Sequence, residues 1–162
     1  MAKKDPHIKN TVLFVCAANQ CRSPMAMVLF RDLVTRRKAQ PDNWRIESAG
    51  VWAVSGYPAT DFAIRAMKNI GLDLNDHHSQ PVTKSLLNEF NLILCMEQEQ
   101  KTFLRSNFPD AKEKIFLISE IAAGTKEIRD PIGYSLVTYQ EIVKEMLVLF
   151  ERGFNRIFEL SE

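Results

Sequence analysis

Residues 12–23 read Val-Leu-Phe-Val-Cys-Ala-Ala-Asn-Gln-Cys-Arg-Ser, an apolar run followed by a cysteine and a short polar loop. Four consecutive apolar residues that end at a loop are typical of a strand buried on both faces at the centre of a parallel sheet. Pro24 predicts the start of a helix, because the first turn needs no N–H from it. The stretch therefore predicts a strand, a loop and a helix, with Cys16 where the strand ends.

The rest of the chain alternates strand and helix patterns, which favours βαβ units and a parallel sheet. Strands are predicted at 11–15, 44–48, 90–96 and 115–118, and helices from Pro24 onward, at 59–70, at 97–107 and at 136–158. With right-handed crossovers, these elements predict a three-layer αβα, flavodoxin-like fold. Its four-stranded parallel sheet has the order 2-1-3-4. The whole of residues 1–162 is expected to form one domain with a core of about 10–159.

The loop after the first strand has the residue types that bind and attack a phosphate. Backbone N–H groups that converge in such a loop, together with a helix N-terminus, attract an oxyanion. Arg22 offers two parallel donors to phosphate oxygens. A cysteine placed beside a helix N-terminus and a cation is a thiolate at neutral pH, and Ser23 is placed to donate a hydrogen bond to it. The pattern predicts phosphate removal through a phosphocysteine intermediate.

Five landmarks along the chain resemble the low-molecular-weight protein tyrosine phosphatase family, from about residue 10 to about 159. They are the signature at 12–26, Glu-Ser-Ala-Gly at 47–50, Gly-Leu-Asp-Leu at 71–74 leading to His77, Leu-Ile-Leu-Cys-Met at 92–96, and Asp-Pro at 130–131. The first and last landmarks are specific together. The three between them are weak by themselves.

The resemblance implies a role for each matching position. Cys16 would be the nucleophile, Arg22 the phosphate clamp and Asp130 the general acid that later acts as a base toward water. The phosphate would be surrounded by Ala17, Ala18, Asn19, Gln20, Cys21, Arg22 and Ser23. The hydrogen-bond network that supports the loop would consist of Asn19, Ser23, Ser48 and His77.

Several positions depart from the family pattern and leave the substrate open. Ala18 stands where the family usually has glycine. Gln20 stands where tyrosine-specific members usually carry isoleucine and arginine-specific relatives usually carry threonine. Asp-Pro is followed by Ile-Gly-Tyr and not by two aromatic residues. Gln20, Trp52 and Tyr134 are expected to line the substrate cleft, although Trp52 equally suits a role in closing the core. Phosphotyrosine in a protein is the expected substrate, and phosphoarginine is the alternative.

Composition and charge narrow the possible partners, cellular locations and cofactors. Hydrophobic residues make up 46% of the chain, and its formal net charge of +1 gives no basis for nucleic-acid or membrane partners. The start, Met-Ala-Lys-Lys-Asp-Pro, lacks the apolar region of a secretory signal, and no stretch is long enough for a membrane span. Catalytic thiol chemistry needs reducing surroundings, so the cytoplasm is expected. No metal-ligand spacing is present, and no metal or other cofactor is expected.

The remaining thiols and apolar residues allow more than one role. Cys21 suits either packing under the loop or a disulfide with oxidised Cys16. Cys95 is expected to be buried and inert. Because no second cysteine is close to it, arsenate reduction is disfavoured as an activity. A phosphocysteine carrier is a further alternative, but a carrier needs no Asp130. Met96, Phe103 and Leu104 are expected in the core.

Overall fold

The computed structural model describes residues 5–162 and contains a four-stranded parallel sheet covered by helices on both faces. Its strands are β1 (Asn10–Cys16), β2 (Trp44–Gly50), β3 (Leu92–Cys95) and β4 (Ile115–Leu117). Its α-helices are α1 (Arg22–Arg36), α2 (Asp61–Lys68), α3 (Lys84–Asn88), α4 (Gln98–Asn107) and α5 (Leu136–Ser161). Short 3-10 helices lie at Pro41–Asn43, Pro109–Lys114 and Ile118–Ala122. The sheet order is β2-β1-β3-β4, which confirms the predicted fold class.

The central strand β1 is buried along its whole length, as its apolar run predicts. It pairs in parallel with β2 on one side and with β3 on the other. Cys16 is opposite Gly50, and Val15 is opposite Cys95. The carboxyl ends of three strands therefore meet at one edge of the sheet, with Cys16 at the centre of that edge.

Two hydrophobic clusters lie on opposite faces of the sheet and complete the three layers. The larger one joins the sheet to α1, α2 and α5, and Phe14, Phe30 and Phe150 meet there edge to face at 5.3–5.8 Å between ring centroids. The smaller one joins the sheet to α3 and α4 through Leu87 and Leu104. Edge-to-face rings add to the stability that burial of their area already provides.

Several element boundaries differ from the predicted ones. Helix α1 begins at Arg22, so Pro24 is its third residue, still within the turn whose N–H groups have no intrahelical partner. Helix α2 begins after Thr60, whose hydroxyl accepts the Ala63 N–H, and β3 begins only at Leu92. Helix α5 continues to Ser161, where Asn10 donates a hydrogen bond to the serine hydroxyl at 2.9 Å. Helix α3 was not predicted.

Candidate active site

The loop between β1 and α1 is the centre of the site. Cys16 is the last residue of β1 and Arg22 the first of α1, so the five residues between them turn at the N-terminus of a 15-residue helix. The Cys16 sulfur lies 3.0 Å from the Ser23 hydroxyl oxygen. That hydroxyl also lies 3.3 Å from the Ala49 carbonyl. Because the hydroxyl has one proton, it can donate to Cys16 as a thiolate and to Ala49 when Cys16 is a neutral thiol.

Asn19 organises the loop from within. Its backbone is left-handed at φ 57°, a conformation that asparagine tolerates better than most residues. Its side-chain amide donates to Ser23 at 2.8 Å and to Ser48 at 2.9 Å, and its amide oxygen accepts the Gln80 N–H at 2.9 Å. The structure thus brings the predicted supporting residues together and adds Gln80.

His77 completes this network from behind the loop. Its Nε2 lies 2.7 Å from the Asn19 carbonyl oxygen, which can only accept, so Nε2 carries a proton. Burial lowers the pKa of His77, and the nearby charges of His78 and Arg31 act in the same direction. His77 is therefore neutral near pH 7, with the tautomer fixed by this hydrogen bond.

The end of β2 supports the loop through close backbone contacts. The N–H groups of Val51 and Trp52 donate to the carbonyls of Cys16 and Ala17, both at 2.9 Å. A Cβ on Gly50 would lie 2.6 Å from the Ala17 carbonyl oxygen and 2.8 Å from the Asn19 nitrogen. Only glycine permits this approach, which explains Gly50 in the Glu-Ser-Ala-Gly landmark.

Arg22 is almost completely buried, and its contacts differ between its three nitrogens. Nη1 donates to the Ile128 carbonyl at 2.9 Å and forms an ion pair with Glu97, while Nη2 lies 3.5 Å from Asp130 Oδ2. Among residues 5–162, its Nε is buried without a hydrogen-bond partner. Burial alone would lower the pKa of Arg22, but negative charge at Cys16, Glu97 and Asp130 outweighs it and raises the pKa. The site thus holds a permanent cation with a donor available for an oxyanion.

Asp130 lies at the edge of the same site on the segment between β4 and α5. The segment is attached to the sheet edge by a hydrogen bond from the Ile128 N–H to the Met96 carbonyl at 2.9 Å. Asp130 Oδ1 accepts the Ile132 N–H at 3.1 Å across Pro131, which orients the carboxylate. Its side chain is about half exposed, so it is accessible to a substrate and to water.

Glu97, like Gln80, is a site residue that the sequence did not reveal. It precedes α4, where an acidic residue is an ordinary helix start, and its partner Arg22 lies 75 residues earlier in the chain. Only the pairing of β1 with β3 brings the two side chains together. No local sequence signal reports such a contact.

Exposed aromatic side chains lie on the segments around the loop. Trp52 is 50% exposed and meets Phe103 of α4 edge to face at 5.7 Å. The expectation that Phe103 is a core residue is wrong, because on α4 it packs against the exposed Trp52 and is itself 36% exposed. Met96 and Leu104 are fully buried as expected. Tyr134 is exposed two residues beyond Ile132, and Gln20 is half-buried with its carbonyl bound to the Thr60 N–H at 2.8 Å.

All three cysteines are buried and free. Burial, followed by the negative charge of Cys16, raises the pKa of Cys21 to about 12, so Cys21 stays a neutral thiol. Burial likewise raises the pKa of Cys95, as expected for a core thiol. Within residues 5–162, no cluster of three or more His, Cys, Asp or Glu side chains is arranged to hold a metal ion. In the same range, no helix has the length and apolar character needed to span a membrane.

The chain is similar in sequence to proteins named as phosphatases. A protein-arginine-phosphatase of Bacillus subtilis (strain 168) is 34% identical over 136 residues, which cover 83% of this chain and 88% of the relative. The probable low molecular weight protein-tyrosine-phosphatase EpsP of Ralstonia nicotianae is 34% identical over 143 residues, covering 88% of this chain and 90% of the relative.

A solved structure extends the likeness to three dimensions. A mutant of the YwlE arginine phosphatase with a phosphorylated active-site serine aligns with a TM-score of 0.86 at 31% identity, covering 92% of this chain and 96% of that one. The family profile described as low molecular weight phosphotyrosine protein phosphatase matches residues 11–156. This chain therefore belongs to the low molecular weight phosphotyrosine protein phosphatase family.

Proposed function

We propose that the protein hydrolyses phosphotyrosine in protein substrates, with Cys16 as the nucleophile. The observation that carries the proposal is the Cys16–Ser23 hydrogen bond beside the buried Arg22, whose Nε has no partner in the described part of the chain. A nucleophilic sulfur, a donor to it and a fixed cation meet at one helix N-terminus. This arrangement suits an anion that must be both bound and attacked.

In the first step, the Cys16 thiolate attacks phosphorus and forms an S–P bond while the P–O bond to the tyrosine breaks. Asp130, protonated beforehand, gives its proton to the departing phenolic oxygen. Backbone N–H groups of residues 17–22 and Arg22 stabilise the charge on the three other phosphate oxygens. The half-exposed Asp130 lies 3.5 Å from Arg22, which supports a position beside the leaving group.

In the second step, Asp130 accepts a proton from water as the water oxygen attacks phosphorus. The S–P bond breaks, phosphate leaves and Cys16 returns to the thiolate, which accepts a hydrogen bond from the Ser23 hydroxyl. The related YwlE mutant that carries phosphate on its active-site serine supports a covalent phosphoenzyme in this family. The reaction needs no metal ion or other cofactor.

The aromatic side chains around the loop favour an aryl phosphate. Trp52 with Phe103, and Tyr134 beyond Asp130, present apolar faces to solvent near the loop. Such faces can receive a flat phosphorylated ring by stacking and can exclude water from it. Gln20, Trp52 and Tyr134 are therefore proposed to line the substrate cleft.

Phosphoarginine in proteins is a second candidate, and Gln20 is the observation that favours it. A polar side chain in the loop can accept hydrogen bonds from the N–H groups of phosphoarginine, whereas the ester oxygen of phosphotyrosine carries no hydrogen to donate. The relative from Bacillus subtilis named protein-arginine-phosphatase matches this chain as well as EpsP does, at 34% identity each. The same Cys16 and Arg22 would then cleave a P–N bond.

The proposed setting is a single catalytic domain, residues 1–162, working in the cytoplasm on phosphorylated proteins. Three free cysteines and a mechanism that requires a thiolate support reducing surroundings. The loop is proposed to bind phosphate and other oxyanions as well. The formal net charge of +1 offers no attraction to nucleic acids or membrane surfaces.

The decisive experiment compares kcat/KM for a phosphotyrosine peptide and a phosphoarginine peptide, with wild type and Cys16→Ser. Faster cleavage of phosphotyrosine supports the first candidate, and faster cleavage of phosphoarginine supports the second. Cys16→Ser should abolish both while retaining phosphate binding, because the loop N–H groups and Arg22 remain. Substantial turnover by Cys16→Ser would exclude a phosphocysteine in either case. Gln20→Ile should favour the aryl phosphate and Gln20→Thr the phosphoarginine peptide.

A further inference from the structure

Glu97 is a charged group of the site to which the proposed chemistry assigns no step. Its carboxylate forms an ion pair with Nη1 of Arg22, and its side chain is only 26% exposed. A carboxylate beside the phosphate clamp repels the anion that the clamp must bind. The Glu97 carboxylate therefore lowers the affinity for phosphate unless it also helps Arg22 to bind the phosphate.

The contacts of Arg22 indicate what that role is. Nη1 is held by two acceptors, Glu97 and the Ile128 carbonyl. Nε has no partner among the described residues, and Nη2 has only the 3.5 Å contact with Asp130. Nε and Nη2 are the pair of parallel donors that binds two oxygens of a phosphate. With Nη1 fixed, this pair is oriented before the substrate arrives, which reduces the entropy lost on binding.

Glu97 is itself held in place by the start of α4. The fully buried Gln100 accepts the N–H groups of Met96 and Glu97 through its Oε1, both at 3.1 Å. Its Nε2 lies 3.4 Å from the Glu97 carboxylate. The Met96 carbonyl accepts the Ile128 N–H, so the second acceptor of Arg22 is attached to the same point. The two acceptors that hold Nη1 therefore share one rigid support.

We propose that Glu97 is a positioning residue that orients Arg22 for phosphate binding and limits its contact with Asp130 to the 3.5 Å approach of Nη2. The inference rests on the proposed function. Without Glu97, Asp130 is the remaining carboxylate partner of Arg22 in the described part of the chain. Arg22 would turn toward Asp130, and the two side chains would form an ion pair. Arg22 would then be less available to the phosphate, and Asp130 less available to the leaving group.

The test measures the inhibition constant of inorganic phosphate together with KM and kcat for an aryl phosphate. Glu97→Ala is expected to raise the inhibition constant and KM about tenfold. This is the size of effect expected when Arg22 is no longer oriented and loses one charge-assisted hydrogen bond to the phosphate. Glu97→Gln keeps an acceptor of the same reach but no charge, so its effect is expected to be intermediate. Glu99→Ala removes an exposed carboxylate two residues further along α4 and should change none of the three constants.

The inhibition constant separates positioning from a folding defect. A smaller folded fraction lowers the apparent kcat but leaves the inhibition constant of phosphate unchanged. If Glu97→Ala does not fold, Glu97→Met fills similar space without an acceptor and gives the same test. Inhibition constants within twofold of wild type, or tighter phosphate binding once the negative charge is removed, would overturn the inference alone. A wild-type protein that neither hydrolyses the aryl phosphate nor binds phosphate would overturn the proposed function and this inference together.

Discussion

At the scale of single residues, Asp130 is the group whose chemistry can be isolated most cleanly. A general acid typically contributes about 10²–10⁴-fold to the rate, and most where the leaving group is a poor one. Asp130→Asn should therefore slow aryl phosphates with weakly acidic phenols by about that factor. It should slow those with strongly acidic phenols much less. The measurement is kcat/KM across a series of substituted phenyl phosphates, because kcat/KM reports the step in which the phenol leaves, whereas kcat also includes the hydrolysis step that all substrates share.

Asp110→Asn is the matched control for this series. Asp110 is an exposed carboxylate paired with Lys84 at 2.9 Å on a different part of the surface. Its replacement should leave the whole series unchanged. An equal loss of kcat/KM across all leaving groups in Asp130→Asn would mean that Asp130 supports the loop and gives no proton to the leaving group.

Cys21 is predicted to form a disulfide with Cys16 when Cys16 is oxidised. Peroxide converts the Cys16 thiolate to a sulfenic acid, and the Cys21 thiol can then displace water to form a disulfide. The uncharged sulfenic acid also removes the Cys16 charge that helps to raise the pKa of Cys21. Mild peroxide should therefore inactivate wild type reversibly, with activity restored by a thiol reductant. In Cys21→Ser the loss should be largely permanent.

Mass mapping of the oxidised protein checks this prediction directly. A Cys16–Cys21 disulfide is the expected product in wild type. Cys16 present as sulfinic acid, with Cys21 still a free thiol, would assign Cys21 to packing alone.

At the scale of elements, Gly50 couples the end of β2 to the loop after β1. A Cβ at this position meets backbone atoms of Ala17 and Asn19 at 2.6 and 2.8 Å, and backbone cannot move aside as a flexible side chain does. Gly50→Ala should therefore destabilise the fold by about 1–3 kcal/mol and displace the loop. We expect weaker phosphate inhibition in the same variant, measured beside urea unfolding.

Gly71→Ala distinguishes a displaced loop from lost stability alone. Gly71 has φ +80° after α2, and a Cβ there meets nothing within 4 Å. Alanine at this position costs about 1–2 kcal/mol of backbone strain at a distance from the loop. Phosphate inhibition should be unchanged in Gly71→Ala. Unchanged inhibition in Gly50→Ala as well would show that the loop tolerates the added methyl group.

The elements that the sequence predicts well are those with a strong local pattern. The continuous apolar run predicts β1, and the amphipathic pattern of apolar residues predicts the long helix α5. Helix α3 was missed because its five residues are too few to show a helical period, and it starts at a Thr83 cap that also suits a turn. Asp130 was placed by resemblance, since an Asp-Pro turn has no distinctive local signal. The contact between Arg22 and Glu97 depends on strand pairing, so no local sequence pattern predicts it.

At the scale of the whole molecule, one sheet edge collects the site from segments distant in the chain. Cys16, Gly50 and Cys95 end three adjacent strands, and the loops that follow carry the arginine, the supporting residues and Glu97. The segment after β4 brings Asp130 to the same edge through the Ile128–Met96 hydrogen bond. In a parallel sheet every strand ends at this edge, so the topology gathers these groups without a long-range folding signal for each one.

His77 makes the stability of this assembly depend on pH. Burial lowers its pKa from the ordinary value of 6.5, with the charges of His78 and Arg31 adding to the effect and the Asn19 carbonyl opposing it. As the pH falls below about 6.5, the unfolded chain binds a proton that the folded protein does not bind, so the free energy of unfolding decreases. The decrease should end once the pH passes the lowered pKa. Above about 6.5 this histidine should contribute no slope.

Urea unfolding of wild type, His77→Gln and His78→Gln between pH about 7.5 and about 5 tests this dependence. The pKa values of Asp73, Asp110 and Glu120 are lowered from ordinary values of 3.8–4.5, so their contributions are lost at lower pH than this window. His77→Gln should be less stable than wild type at neutral pH, because the bond to Asn19 is disturbed, and its free energy of unfolding should vary little with pH. His78→Gln should keep most of the wild-type slope, since burial, the largest cause of the lowered pKa of His77, remains. An equal slope in wild type and His77→Gln would place the titrating group elsewhere in the chain.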